Sequence, residues 1–325
     1  MPTTRHIVIS DKEGALPYSK GLMASSLMAT GLPPSRAFHV AELIEEQLHA
    51  QGRVEITRHE LTDLAERVLV TEEGERYARM YLRWQVINRL DRPMVILLGG
   101  ATGVGKSTLA TQLAARLGIT RVIPTDAVRE VMRSMLSSDL APSLHSSSFD
   151  VDQVVPQLLP REESDPLLVG FREQALTVSV GIRALARRAA LERTHLIVEG
   201  VHALPAALDP AEFSDTAVVV PILVTVDDEM LHRSHFVSRA ADANERTVSR
   251  YLENFPHIRM IQEYLRSIAT EHGTPIVNTY NLDTTLAQVI ELVVEEAARQ
   301  IPTVEPLTDE VPAISRERTR NGSNR

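Results

Sequence analysis

Apolar residues along this chain follow two rhythms, and the change between them falls at Met94. Upstream the spacing is helical. Leu22, Met23, Ser26 and Leu27 share one face, and Gly31 with Pro33 and Pro34 ends that run. Val40, Ile44 and Leu48 recur at every fourth position and predict a helix over residues 36–51, with Ser35 as its N-cap. Thr57 and Glu60 form a capping-box pair ahead of Leu61, Leu64, Ala65 and Val68. A further helix is expected over residues 73–90, closed by Pro93. Before these helices, residues 6–10 read as a short strand, followed by a turn at Gly14 and a loop to Pro17.

From Met94 onward the apolar runs are continuous, as in strands buried on both faces. The strand candidates are residues 94–98, 121–123, 195–198, 217–226 and 275–278, with helical stretches such as 167–193 between them. That alternation predicts an α/β domain with a parallel sheet over 93–301, behind a smaller, mainly helical domain over 1–92. Residues 302–325 are polar and lack an apolar pattern, so disorder is expected there.

Charge and composition narrow the partners. The formal net charge of −9 leaves no basic footprint for nucleic acid, so an anionic ligand must be met by local arginines or lysines. Cysteine is absent, which excludes disulfides, thiolate metal sites and thiol nucleophiles. No apolar run reaches the length of a membrane span, and residues 1–11 lack a signal core. The expectation is a cytoplasmic protein without a membrane partner; a homodimer stays open.

The most specific motif is Gly100-Ala-Thr-Gly103-Val-Gly105-Lys106-Ser107-Thr108, which matches the phosphate-loop pattern G-x-x-x-x-G-K-[ST]. A buried strand enters it and an amphipathic helix over 106–117 leaves it, as the chemistry requires. Glycines let successive N–H groups turn into one concavity, and the helix N-terminus adds positive potential. Lys106 is expected at the β- and γ-phosphates of ATP, and Ser107 at Mg²⁺. The fold class is therefore a parallel sheet of the P-loop NTPase type.

Acceptor candidates follow the second strand. Asp126 reads either as an N-cap or as a carboxylate that orients or deprotonates an acceptor hydroxyl. Arg129 and Arg133 share a helical face and read as an anion clamp or as a solvated basic face. His145 lies in a serine-rich loop, Ser143 to Phe149, that could line an acceptor pocket. Glu199 ends an apolar strand at the position where P-loop folds hold Mg²⁺, and His202 follows it as a candidate substrate contact. After the strand over 217–226 comes a polar helical stretch carrying Arg233, Arg239, Arg246 and Arg250. It reads as a lid that brings guanidinium groups over the transferring phosphoryl, with Arg233 and Arg239 the leading candidates. Asn278 to Asn281, after the last strand, could receive an adenine on amide groups.

The motifs GGATGVGKST, PTDAVREVMR, LHSS, IVEGVH, HRSHFVSRA and PIVNTYNLD resemble, in order and spacing, the 2-phosphoglycerate kinase family of P-loop kinases. The region from ISDKEGALPYSKGLMASSLMATGL to RYARMYLRW is similar to an ATP-cone domain, which such kinases commonly carry in front; here Ser10-Asp11-Lys12-Glu13-Gly14 replaces the basic strand end of many cones. The resemblance implies transfer of the ATP γ-phosphoryl to the 3-hydroxyl of 2-phosphoglycerate, a small phosphorylated acceptor, giving 2,3-bisphosphoglycerate. The residues alone leave two other readings open: a kinase for a sugar, nucleoside or nucleotide-sugar, and an ATP-sensing module without transfer.

Overall fold

The computed structural model describes residues 7–11, 14–88, 92–154, 165–204, 206–238 and 245–300. The expected disordered tail at 302–325 and the lid candidate Arg239 lie outside the described residues.

The N-terminal part holds β1 (Val8–Asp11), β2 (Gly14–Pro17) and β3 (Glu55–Thr57) in a sheet of order β2-β1-β3. β2 runs antiparallel to β1 where the sequence suggested only a loop, and β3 adds a parallel strand that sequence patterning missed. Helices α1 (Lys20–Met28), α2 (Pro34–Ala50), α3 (Arg58–Glu72) and α4 (Glu75–Ile87) accompany this sheet. The capping box at Thr57 and Glu60 forms as expected. Ser35, however, is no N-cap: α2 begins at Pro34 and Pro33 takes the cap position. A proline at the first helical position is pre-organised for the helix and has no N–H to orphan, so the helix starts before Ser35.

The remainder forms a parallel sheet of order β5-β6-β4-β7-β8. Its strands are β4 (Met94–Gly99), β5 (Val122–Pro124), β6 (Leu196–Gly200), β7 (Val218–Thr225) and β8 (Ile276–Asn278). The helices between and after them are α5 (Lys106–Leu117), α6 (Thr125–Met135), α7 (Pro166–Glu192), α8 (Glu229–Ser238), α9 (Glu245–Glu253), α10 (Phe255–Glu271) and α11 (Leu282–Arg299). The central strand shows why its apolar run is unbroken. Met94, Ile96 and Leu98 enter the core built with α5, α10 and α11, while Val95 and Leu97 enter the core under α6 and α7. Each face of the pleat meets a helical layer, so no polar position is tolerated.

The two parts share helix α4. Ala78 and Tyr81 belong to the N-terminal core, whereas Met80, Trp84 and Ile87 belong to the core of the parallel sheet. On the surface of the same helix, Arg76 pairs with Glu291 and Arg83 with Glu295 on α11. Arg116 of α5 adds a bond to the carbonyl of Leu32 at 2.6 Å. No helix among the described residues is long and apolar enough to cross a membrane.

Candidate active site

The phosphate loop lies between the end of β4 and the start of α5, flanked by the ends of β6 and β7. Its glycines take positive φ, at 147° for Gly100, 89° for Gly103 and 88° for Gly105. Lys106 is buried and donates to the carbonyl of Ala101 at 2.7 Å, a position from which its charge can turn to a phosphate in the same loop. Ser107 and Thr108 lie exposed on the first turn of α5. The Ser107 hydroxyl donates to Oε1 of Glu199 at 2.9 Å, and Glu199 is itself buried at the end of β6. The two groups expected to hold Mg²⁺ thus meet across the loop. A hydroxyl and a carboxylate are hard oxygen donors suited to that ion.

Two carbonyls of the loop are taken up by α8. His232 donates from Nε2 to the carbonyl of Thr102 at 2.8 Å, and His235 from Nδ1 to that of Gly103 at 2.9 Å. Phe236 lies so close to Gly103 that a Cβ there would sit 2.3 Å from the ring. Burial pushes the His232 imidazole down to about 4, so it serves as a neutral donor. Arg233, on the same helix, stacks its guanidinium 4.0 Å from the centre of the Phe255 ring. The following helix α9 is held by an ion pair from Arg250 to Asp150, the residue just after the serine loop.

On the acceptor side several expectations change. Asp126 is not an N-cap: Pro124 holds that position, and no side chain caps α6. Its carboxylate is 73% exposed and lies 3.7 Å from Nε of Arg129. Arg129 and Arg133 do not form a clamp. Arg129 gives Nη1 to the carbonyls of Leu144 and Ser146, both at 3.0 Å, and so braces the serine loop, while Arg133 is engaged by Glu130. His145 is exposed and turns back to the carbonyl of Leu136 at 2.9 Å. His202 is fully buried and therefore unable to touch a substrate. It bonds instead to Thr125, Ser148 and Gln174. The amides expected to receive adenine are used internally: Asn278 bonds Asp227 and Tyr280, and Asn281 caps α11.

Relatives of known class span nearly the whole chain. It is 37% identical over 290 residues to a 2-phosphoglycerate kinase of Methanopyrus kandleri, covering 89% of this chain and 87% of that one. The Thermococcus kodakarensis 2-phosphoglycerate kinase is 36% identical over 286 residues, 87% of this chain and 96% of that one. That of Methanocaldococcus jannaschii is 35% identical over 311 residues, 95% and 98% respectively. The chain belongs to the 2-phosphoglycerate kinase family. No family model matches it. Among solved structures, a shikimate kinase from Acinetobacter baumannii in complex with shikimate aligns with a TM-score of 0.36 and 16% identity, over 63% of this chain and 93% of that chain, too loosely to bear on the chemistry.

For this member of the 2-phosphoglycerate kinase family, sequence reasoning missed His232, His235 and Gln174. The first two stand three apart on a helix, a spacing that puts both on one face, inside the stretch read as an arginine-bearing lid. Gln174 carried no local signal at all.

Proposed function

We propose that this kinase transfers the γ-phosphoryl group of ATP to the free 3-hydroxyl of 2-phosphoglycerate. The observation that carries the reading is the meeting of Ser107 and Glu199 at 2.9 Å beside Lys106, in a chain similar over almost its full length to 2-phosphoglycerate kinases. The acceptor oxygen bonds to the γ-phosphorus as the bond from phosphorus to the β,γ-bridging oxygen breaks, and ADP leaves. Asp126 takes the acceptor proton, since it is an exposed carboxylate on the first turn of the helix that follows β5. Lys106 swings from Ala101 to the transferring group, where its charge offsets that of the equatorial oxygens. Mg²⁺ would be held by Ser107 and Glu199 and would supply neutralisation of the β- and γ-oxygens. Arg129 keeps the serine loop in place and is not itself assigned to the substrate.

The N-terminal unit, residues 1–92, is read as an ATP-cone-like module. Its support is a cavity of about 500 Å³ bordered by Tyr18, Arg58, Tyr81 and Gln85 between the small sheet and its helices.

The test is ADP release measured across 2-phosphoglycerate, 3-phosphoglycerate, glycerate, simple sugars and nucleoside monophosphates. Fastest turnover on 2-phosphoglycerate, silent in Lys106→Ala, is expected. A nucleoside monophosphate as best acceptor would overturn the substrate. Absence of transfer to any acceptor would favour an ATP sensor.

A further inference from the structure

One fully buried histidine beside the site takes no part in the proposed transfer. His202 is 0% exposed, stands three residues after Glu199, and bonds to three segments far apart in sequence. Its Nδ1 lies 3.0 Å from the hydroxyl of Thr125, the residue before Asp126, and 3.9 Å from Oδ1 of Asp126 itself, too long for a hydrogen bond. Its Nε2 lies 2.8 Å from Oε1 of Gln174 on α7 and 3.3 Å from the hydroxyl of Ser148.

The proton positions follow from the neighbours. Gln174 gives its amide N–H groups to the carbonyls of Ser143, at 2.5 Å, and Ser146, at 2.9 Å, so its oxygen is what faces the imidazole. Nε2 therefore carries the proton, and Nδ1 accepts from Thr125. Every polar atom of the imidazole is satisfied in one tautomer, which fixes the ring in place. Gly200, at φ 148°, leaves room for the Thr125 hydroxyl on its other side, where a Cβ would come within 1.9 Å of Oγ1. No other residue type fits there, because an L side chain resists that φ and the hydroxyl occupies the space.

Two arms thus leave His202. One runs through Thr125 to the first turn of α6 and its neighbour Asp126. The other runs through Gln174 to the carbonyls of the serine loop, which Arg129 grips at Leu144 and Ser146. The carbonyls of Ser143, Leu144 and Ser146 are thus all taken up by Gln174 and Arg129. Glu199 and His202 leave the same strand end, one toward the nucleotide side through Ser107 and one toward the acceptor side.

We infer that His202, through Thr125 and Gln174, is a positioning residue that sets the acceptor carboxylate Asp126 and the serine loop against the Glu199 end of β6. This rests on the proposed role of Asp126 and the proposed acceptor. The arms separate chemically, since an Asn amide overlays Nδ1 of an imidazole and a Gln amide overlays Nε2. His202→Asn keeps the Thr125 arm, and His202→Gln keeps the Gln174 arm.

Steady-state kinetics of the full-length enzyme with both substrates, and ATP affinity by calorimetry, read the two arms apart. His202→Gln and Thr125→Val should each lower kcat by about tenfold or more, with ATP Kd held within about twofold. His202→Asn should instead raise the acceptor KM by a similar factor and keep kcat nearer to wild type. Adding Thr125→Val to His202→Gln should cost little more, because that arm is already cut, whereas adding it to His202→Asn should remove what that variant kept. Variants that lose melting temperature but keep kcat and acceptor KM would overturn the inference, as would an equal weakening of ATP binding. A wild type silent on 2-phosphoglycerate but active on another acceptor counts against the proposed substrate alone, and the variants are then read on the acceptor it uses. Silence on every acceptor overturns both.

Discussion

Gly103→Ala tests how tightly helix α8 is seated on the phosphate loop. At φ 89° an L side chain costs ~1–2 kcal/mol, from the clash of its Cβ with the following carbonyl. The new methyl would also lie 2.3, 2.8 and 2.9 Å from three ring carbons of Phe236. That ring is buried and has little room to move, because His232 and Tyr251 stack near it at 5.6 and 5.1 Å and Phe255 meets it edge-on at 6.4 Å. Overpacking of this kind costs ~1–3 kcal/mol, so the substitution should destabilise by about 2–5 kcal/mol in total. Phe236→Leu in the same chain removes the outer ring atoms and should recover the packing part, ~1–3 kcal/mol, but not the backbone part. Urea unfolding followed by emission of Trp84 is a suitable assay, since this is the sole tryptophan and lies 5% exposed in the sheet core. A cost below about 0.5 kcal/mol for the single substitution, or additivity in the double, would refute the reasoning. Because the Gly103 carbonyl is held by His235, the single variant should also bind ATP more weakly.

Three further outcomes follow from the same structure. Asp126→Asn should lower turnover by roughly 10²-fold with little change in melting temperature, because no cap bond is lost; unchanged turnover would remove Asp126 from the mechanism. Acid should destabilise the fold early. His202 and His232 sit at about 4 in the folded chain against 6.5 unfolded, both lowered by burial, so the unfolded state takes up protons first. Their contribution is complete above pH 6.5 and is lost as pH falls toward 4. A urea midpoint flat between pH 6.5 and 5, where few carboxylates yet titrate, would contradict this. Finally, a chain shortened to begin at residue 90 should aggregate, since it strips Met80, Trp84 and Ile87 from the sheet core, while one that begins at Gly74 should stay soluble; a residue-90 chain that stays monodisperse by size-exclusion chromatography would show that α4 is dispensable.

The sheet was legible in sequence wherever a strand is buried on both faces. β4, β6 and β7 announce themselves as unbroken apolar runs, to within two residues at their ends. β2 was not legible because all four of its residues are exposed and no alternation marks them, and β3 has three residues in all. The phosphate loop was legible because its function depends on local backbone geometry, which adjacent residues encode. The acceptor side was not. The partners of His202 lie 77, 54 and 28 residues away, and that of His232 lies 130 away, so only tertiary contact tells an internal strut from a ligand. Arg129 misled for the same reason: a guanidinium looks alike on paper whether it awaits an anion or grips the carbonyls of a loop.

Helix α4 carries a consequence for synthesis of the chain on the ribosome. Its inner face is satisfied early, by residues made before it, so the first core can close as soon as Tyr81 has emerged. Its outer face waits for α11, whose Glu291 lies 215 residues later than Arg76. At about 5–20 residues per second, that interval lasts roughly 10–40 s. Throughout it Met80, Trp84 and Ile87 form an apolar stripe on an otherwise finished unit, beside a half-made sheet with open edges. The nascent chain therefore passes through a stage in which a folded head displays a sticky seam, and α11, the last helix among the described residues, is the one that seals it.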